Sequence, residues 1–189
     1  MPDLASVLLS QFRAALGMLR DCIARCPAEH WNTPIVKYPF WLVAYHTLCF
    51  ADFYLSPSES AWAPSPLYHP RGIAELNDEY PSRTFSQPEL LAYLEFCISK
   101  AGPSLASESA DTRNGPSGFP RYPCSRAEFH INSIRHIQHH AAHLGAFLRR
   151  AGNDTDWRQT TKNPAIARPP PHCPQGENNP GPPGPPSPK

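Results

Sequence analysis

Four of the nine histidines fall within eight residues, in the stretch Arg135-His136-Ile137-Gln138-His139-His140-Ala141-Ala142-His143-Leu144-Gly145. Apolar residues on both sides recur at helical spacing, so the stretch reads as part of one continuous helix. Residues four apart on a helix stand one turn above the other on a single face. His136 and His140 can therefore grip one ion together, the spacing of His-x-x-x-His metal ligands. A third donor has to come from another element, and His46, inside the apolar run Phe40 to Leu55, is the candidate. A three-histidine metal site in a helical bundle follows as the leading expectation.

At about 100° per residue, Phe129 and Phe147 point the same way, and their direction is taken as the centre of the buried stripe. His136 and His140 then fall roughly 20° to either side of that centre. His143 lies about 40° off on one flank and Ile137 about 80° off on the other. His139, roughly 80° away, falls on the side of Arg135, Gln138 and Arg149 and is expected at the rim. Burying three imidazoles with nothing to bind would cost about 1–3 kcal/mol for each unsatisfied group. A bound ion removes that cost. Cys49, one turn beyond His46, is either a sulfur ligand or small core filler, and core filler is preferred. His143 is expected as a pocket wall or as an outer hydrogen-bond partner of a ligand rather than a ligand itself.

Composition narrows the classes. A length of 189 residues suits one domain with extensions, and a formal net charge of +1 offers no basic field for nucleic acid. The first residues lack a basic n-region and read as a helix rather than a signal peptide. No run of about 18 apolar residues exists, which excludes a spanning helix. The expected location is the cytoplasm. The cysteines at 22, 26, 49, 97, 124 and 173 lack a second close pair for zinc and read as small buried thiols.

Four long helices are predicted. The first runs from an Asp3 cap to Arg25, its apolar stripe carried by Leu4, Val7, Leu8, Phe12, Ala15, Leu16, Leu19 and Ile23, and Pro27 stops it. The second starts at Pro39, runs to Leu55, and is apolar nearly all round, which predicts the most buried helix. The third opens at Ser86 with Glu89 in its first turn and ends near Gly102-Pro103. The fourth runs from about Ser125, in a box-like Ser125-Arg126-Ala127-Glu128 start, to Ala151, with Gly152 as its stop. A short extra helix is expected within Arg71 to Tyr80. The long connections predict a crossover bundle rather than simple hairpins.

From about Asn163 the composition changes, and residues 164–189 contain eleven prolines and three glycines. Such a segment buries too little apolar surface to offset the entropy of ordering. The expected organisation is an all-α bundle domain, residues 1–157, followed by a disordered proline-rich tail, residues 158–189.

The pattern Pro39-Phe40-Trp41-Leu42-Val43-Ala44-Tyr45-His46, with His136-x-x-x-His140-Ala-Ala-His143-Leu144 continuing to Leu148-Arg149-Arg150-Ala151-Gly152, resembles the DinB/YfiT-like metalloenzyme superfamily. The resemblance covers roughly residues 4–152. It implies a four-helix bundle with a crossover connection and one divalent ion, zinc or nickel among others, on His46, His136 and His140. Many members carry Gln in a Gly-Gln-Leu step after the last ligand; this chain has Ala142-His143-Leu144, so no role carries over to His143. Some members are transferases or isomerases dependent on bacillithiol or mycothiol.

Three neutral imidazoles leave a coordination position open, the layout of catalytic zinc. Expected partners are a small-molecule substrate, a low-molecular-weight thiol among the candidates, and a second copy of the chain; neither nucleic acid nor membrane is expected. No catalytic side chain is assigned. Metalloprotease chemistry is disfavoured because Ile137 follows His136 where His-Glu-x-x-His needs its base. A carboxylate-bridged di-iron centre needs Glu-x-x-His pairs, which do not occur. The rival expectation is a non-catalytic metal-binding or stress-related bundle.

Overall fold

The Asp3 carboxylate accepts the Ser6 N–H at 2.8 Å and so caps α1, Leu4–Arg25. In the computed structural model, which describes residues 3–76 and 78–158, the other helices are α2, Phe40–Tyr54; α3, Gln87–Ala106; a five-residue α4, Ala110–Asn114; and α5, Arg126–Arg150. A two-residue hairpin, β1 Pro34–Ile35 with β2 Tyr38–Pro39, leads into α2. A 3-10 turn at Gly72–Leu76 occupies the connection where a short helix is expected. The chain is thus mainly helical. No described helix is long and apolar enough to cross a membrane.

Both α1 and α2 pack against α3 and α5, and only slightly against one another. The core is the meeting of four stripes: Phe12, Leu16, Leu19 and Ile23 from α1, Phe40, Ala44 and Leu48 from α2, Leu90, Leu94 and Cys97 from α3, and Ile137, Leu144 and Leu148 from α5. A second, aromatic cluster of Phe53, Tyr54, Trp62, Phe119 and Phe129 closes the far end of α2. As its uniformly apolar sequence predicts, α2 is buried on most sides.

Two boundaries differ from the sequence expectation. α3 does not stop at Gly102-Pro103. Ala101 and Leu105 continue the stripe of Leu90, Leu94 and Cys97, and Leu105 is only 1 % exposed. Burial of that last turn outweighs the one helical hydrogen bond that Pro103 forgoes. At the start of α5 only half of the box forms: Ser125 Oγ accepts the Glu128 N–H at 3.2 Å. Gly152, at φ +82°, ends α5 as predicted.

Gly118 combines a φ of +83° with a close approach, since a Cβ there would lie 2.6 Å from the Pro57 carbonyl. Only glycine lets the 115–119 loop rest on the residues that follow α2. After Gly152 the chain turns back over α1, where Arg25 pairs with Asp156 and Arg158 grips both Asp21 oxygens at 2.9–3.1 Å. The first residue of the expected tail is therefore anchored. The rest of that tail, with Cys173, lies outside the described residues.

Candidate metal centre

His46 projects from the middle of α2 and His136 and His140 from the middle of α5, and the two helices lie side by side. The ring centroids of His46 stand 5.4 Å from His136 and 5.0 Å from His140, and one nitrogen of each ring lies within 4.8 Å of the others. His136 Nε2 and His140 Nε2 are 3.1 Å apart. Two metal–nitrogen bonds of about 2.0–2.1 Å meeting at about 100° span that separation. The sequence-predicted trio is brought together.

Its setting differs from the helical-wheel expectation. The fully buried side of α5 runs through Ile137, Leu144 and Leu148, so the stripe is centred near Ile137. Phe129 belongs to the separate aromatic cluster and Phe147 is only partly buried, so neither marks the centre. His136 and His140 therefore sit at the edge of the stripe, half-buried. Beside His46 and His140 lies a cleft of about 300 Å³ whose walls include Leu42, Val43, Phe50 and Leu76, with the more exposed Tyr38, Asp78 and Glu79. A second, shallower cleft beyond His136 is lined by Tyr54, Tyr122, Asn132 and Arg135.

Burial lowers all three imidazole pKa values. His46 is shifted down by desolvation. Desolvation, with the neighbouring histidines, takes His136 to about 4 and His140 to about 3. The rings are neutral near pH 7, as ligation requires. The buried Nδ1 atoms of His136 and His140 have no hydrogen-bond partner, so the polar contact of each ring is made at its Nε2 end, where the histidines meet. Donor type, spacing and protonation state all fit a divalent ion that favours imidazole.

The neighbours sort clearly. His139 is exposed at the rim, as the wheel predicts. His143 is also exposed, packs its ring 4.2 Å from His139, and makes no hydrogen bond to the trio. Cys49 turns away from His46: its Sγ lies 3.8 Å from His69 Nδ1, and burial pushes its thiol pKa up. Cys22 and Cys26 are buried thiols, both pushed up to about 12 mainly by desolvation.

Sequence reasoning missed two interior polar networks. In the first, Asp52 Oδ1 accepts Lys100 Nζ at 2.6 Å, while Oδ2 accepts Trp62 Nε1 at 3.1 Å and the Tyr93 hydroxyl at 3.3 Å. His69 lies between Tyr93 (Nε2 to hydroxyl, 2.6 Å) and Tyr45 (Nδ1 to hydroxyl, 3.3 Å). Burial works against the Asp52 carboxylate, but the nearby His69 ring and the Lys100 ammonium hold its pKa below the ordinary value. Cys49, His69 and Asp52 follow the order of a nucleophile, base and acid. All three are at most 3 % exposed, and a thiol with a raised pKa is a poor nucleophile, so the set ties the 57–85 connection to the core. The available signal was Asp52 itself, the single acid of α2.

In the second network, Glu108 accepts Arg126 Nε at 2.7 Å and meets His130 Nε2 at 2.9 Å. Arg126 also donates to the Ser56 and Ser117 carbonyls. Nothing local in the sequence separates this arginine from an ordinary first-turn residue.

No described protein family matches the chain, and no curated protein is significantly similar to it in sequence. The family resemblance therefore rests on the two histidine motifs and the residues around them.

Proposed function

We propose that the chain is a metal-dependent enzyme of the DinB/YfiT-like type, a four-helix crossover bundle holding one divalent ion, zinc or nickel, on His46, His136 and His140. The observation that carries this is the meeting of imidazole nitrogens from two helices within 4.8 Å, with no carboxylate among them, beside an apolar cleft. Three neutral donors leave the charge of an ion uncompensated and a coordination position free. An ion so held lowers the pKa of a bound water or thiol and supplies a nucleophile near neutral pH.

The chain's own residues supply the rest. Leu42, Val43, Phe50 and Leu76 offer walls that suit the apolar part of a small electrophile and shed water from it. The Tyr38 hydroxyl donates to Glu79 at 3.0 Å, which fixes the more exposed side of the cleft beside Lys37. The depressed imidazole pKa values keep the donors free of protons. A low-molecular-weight thiol is the proposed co-substrate because the reaction then needs no protein nucleophile, and every cysteine near the core has its thiol pKa raised.

One observation favours a second reading, a metal-binding bundle without catalysis. Metal-bound histidines commonly anchor their other nitrogen to a carboxylate or carbonyl, and His136 and His140 do not. Elemental analysis after native purification, followed by a thiol-consumption assay with a small electrophile, tests both. About one ion per chain with turnover is expected. A stoichiometric ion without turnover selects the second reading, and absence of any ion rejects both.

A further inference from the structure

The spacing that joins His136 to His140 occurs again three residues on. His139 and His143 are also four apart, their ring centroids lie 4.2 Å from each other, and both are exposed. One nitrogen each of His139, His140 and His143 lies within 4.8 Å of the others. Among the described residues, neither His139 nor His143 has a hydrogen bond or ion pair, so their nitrogens are not committed to the fold. Two imidazoles four apart on a helix face have the spacing of a His-x-x-x-His pair of metal ligands.

We propose that His139 and His143 form an outer site for a divalent transition ion that favours imidazole, such as zinc, nickel or copper, with His140 as its third donor when His140 is free. The inference goes beyond the inner-site reading and does not require it. His140 belongs to both histidine groups, so the two three-histidine sites cannot be complete at once. With the inner ion in place, the outer pair holds its ion through two histidines and water. That ion is the weaker bound, because fewer protein donors hold it and water reaches it freely.

Titration of the metal-free full-length chain with Ni²⁺ by calorimetry tests this, with ion content confirmed by elemental analysis. The wild type should show two events, the second at least tenfold weaker than the first. H139Q/H143Q should lose the weak event and keep the tight one; glutamine is a good helix former and both positions are exposed. H46Q/H136Q should lose the tight event and keep an outer one. H172Q/C173S should keep both events. A single one-ion event that survives H139Q/H143Q, or a weak event abolished only by H172Q/C173S, overturns the outer site. A single event lost in H139Q/H143Q and kept in H46Q/H136Q upholds the outer site and rejects the inner one.

Discussion

α2 carries two polar regions that solve opposite problems. Asp52, near its C-terminal end, is matched atom for atom: Lys100, Trp62 and Tyr93 saturate its oxygens, and His69 is held between two tyrosine hydroxyls. His46, two turns earlier, meets His136 and His140 with no opposite charge among them and two orphaned Nδ1 atoms close by. A buried charge with every partner supplied by the chain is architecture, since leaving it unmatched would cost several kcal/mol. The Nε2 atoms of His136 and His140 meet only one another beside a cleft, an arrangement that fits a bound ion rather than a partner from the chain.

The largest expected effect breaks the comparison if it fails. Asp52→Ala removes the buried carboxylate, leaving the Trp62 N–H unpaired and the Lys100 ammonium on the residue-52 carbonyl and Ser56 Oγ alone, and should cost about 3–5 kcal/mol. A drop in melting temperature on the order of 10 °C follows for a chain of this size. His136→Ala in the metal-free protein should cost about 1 kcal/mol or less, because the lost packing is offset by removal of an unsatisfied nitrogen. Equal losses in the two variants would make the histidine trio a structural network like the first.

Metal content should divide the histidines in the same way. Alanine at His46, His136 or His140 should abolish the tight ion, and alanine at His139 should leave it in place. Stoichiometric tight metal in His136→Ala would remove the basis of the inner site.

A smaller effect separates the regions by pH. His136 and His140 titrate at about 4 and about 3 in the folded chain and near 6.5 when unfolded. Between those values the unfolded chain binds protons that the folded chain does not, so their contribution is complete above about pH 6.5 and is lost as pH falls toward 4 and below. Asp52 and Glu108 are held below their ordinary values, so their stabilisation is lost only at lower pH. Urea midpoints of the metal-free protein should fall between pH 6.5 and 5, and H136Q/H140Q should flatten that slope. An unchanged slope would assign the acid sensitivity to other groups.

The two regions also differ in how far the sequence announces them. Four-residue spacing on one helix and a histidine inside an apolar helix are local patterns, and they bring His46, His136 and His140 to one place. Their depth is not local. Phe129 and Phe147 share one wheel direction, yet Phe129 serves a separate aromatic cluster, and the true centre at Ile137 is set by which faces α1 and α2 present. The Asp52 network joins residues 52, 62, 69, 93 and 100, and Glu108 with Arg126 and His130 joins the loop after α3 to α5. Such pairings depend on how long connections fold back, and no periodicity records that. The extension of α3 past Pro103 has the same origin: a local breaker is overridden by burial of Leu105.

Cys49 stands between the two regions and gives the finest test of where one ends. It lies three residues after His46 on α2, close enough in sequence to serve as a fourth ligand, yet it is a buried residue whose sulfur faces His69 at 3.8 Å. A ligand would be a thiolate, which burial disfavours here. Cys49→Ala should therefore cost about 1 kcal/mol through a small cavity and one weak contact, while the ion content and Ni²⁺ affinity of the trio stay at wild-type values. The cobalt-substituted protein should likewise lack a thiolate-to-metal charge-transfer band, with or without Cys49. Appearance of that band in the wild type and its loss in Cys49→Ala would place the sulfur on the ion and merge two regions that the fold keeps apart.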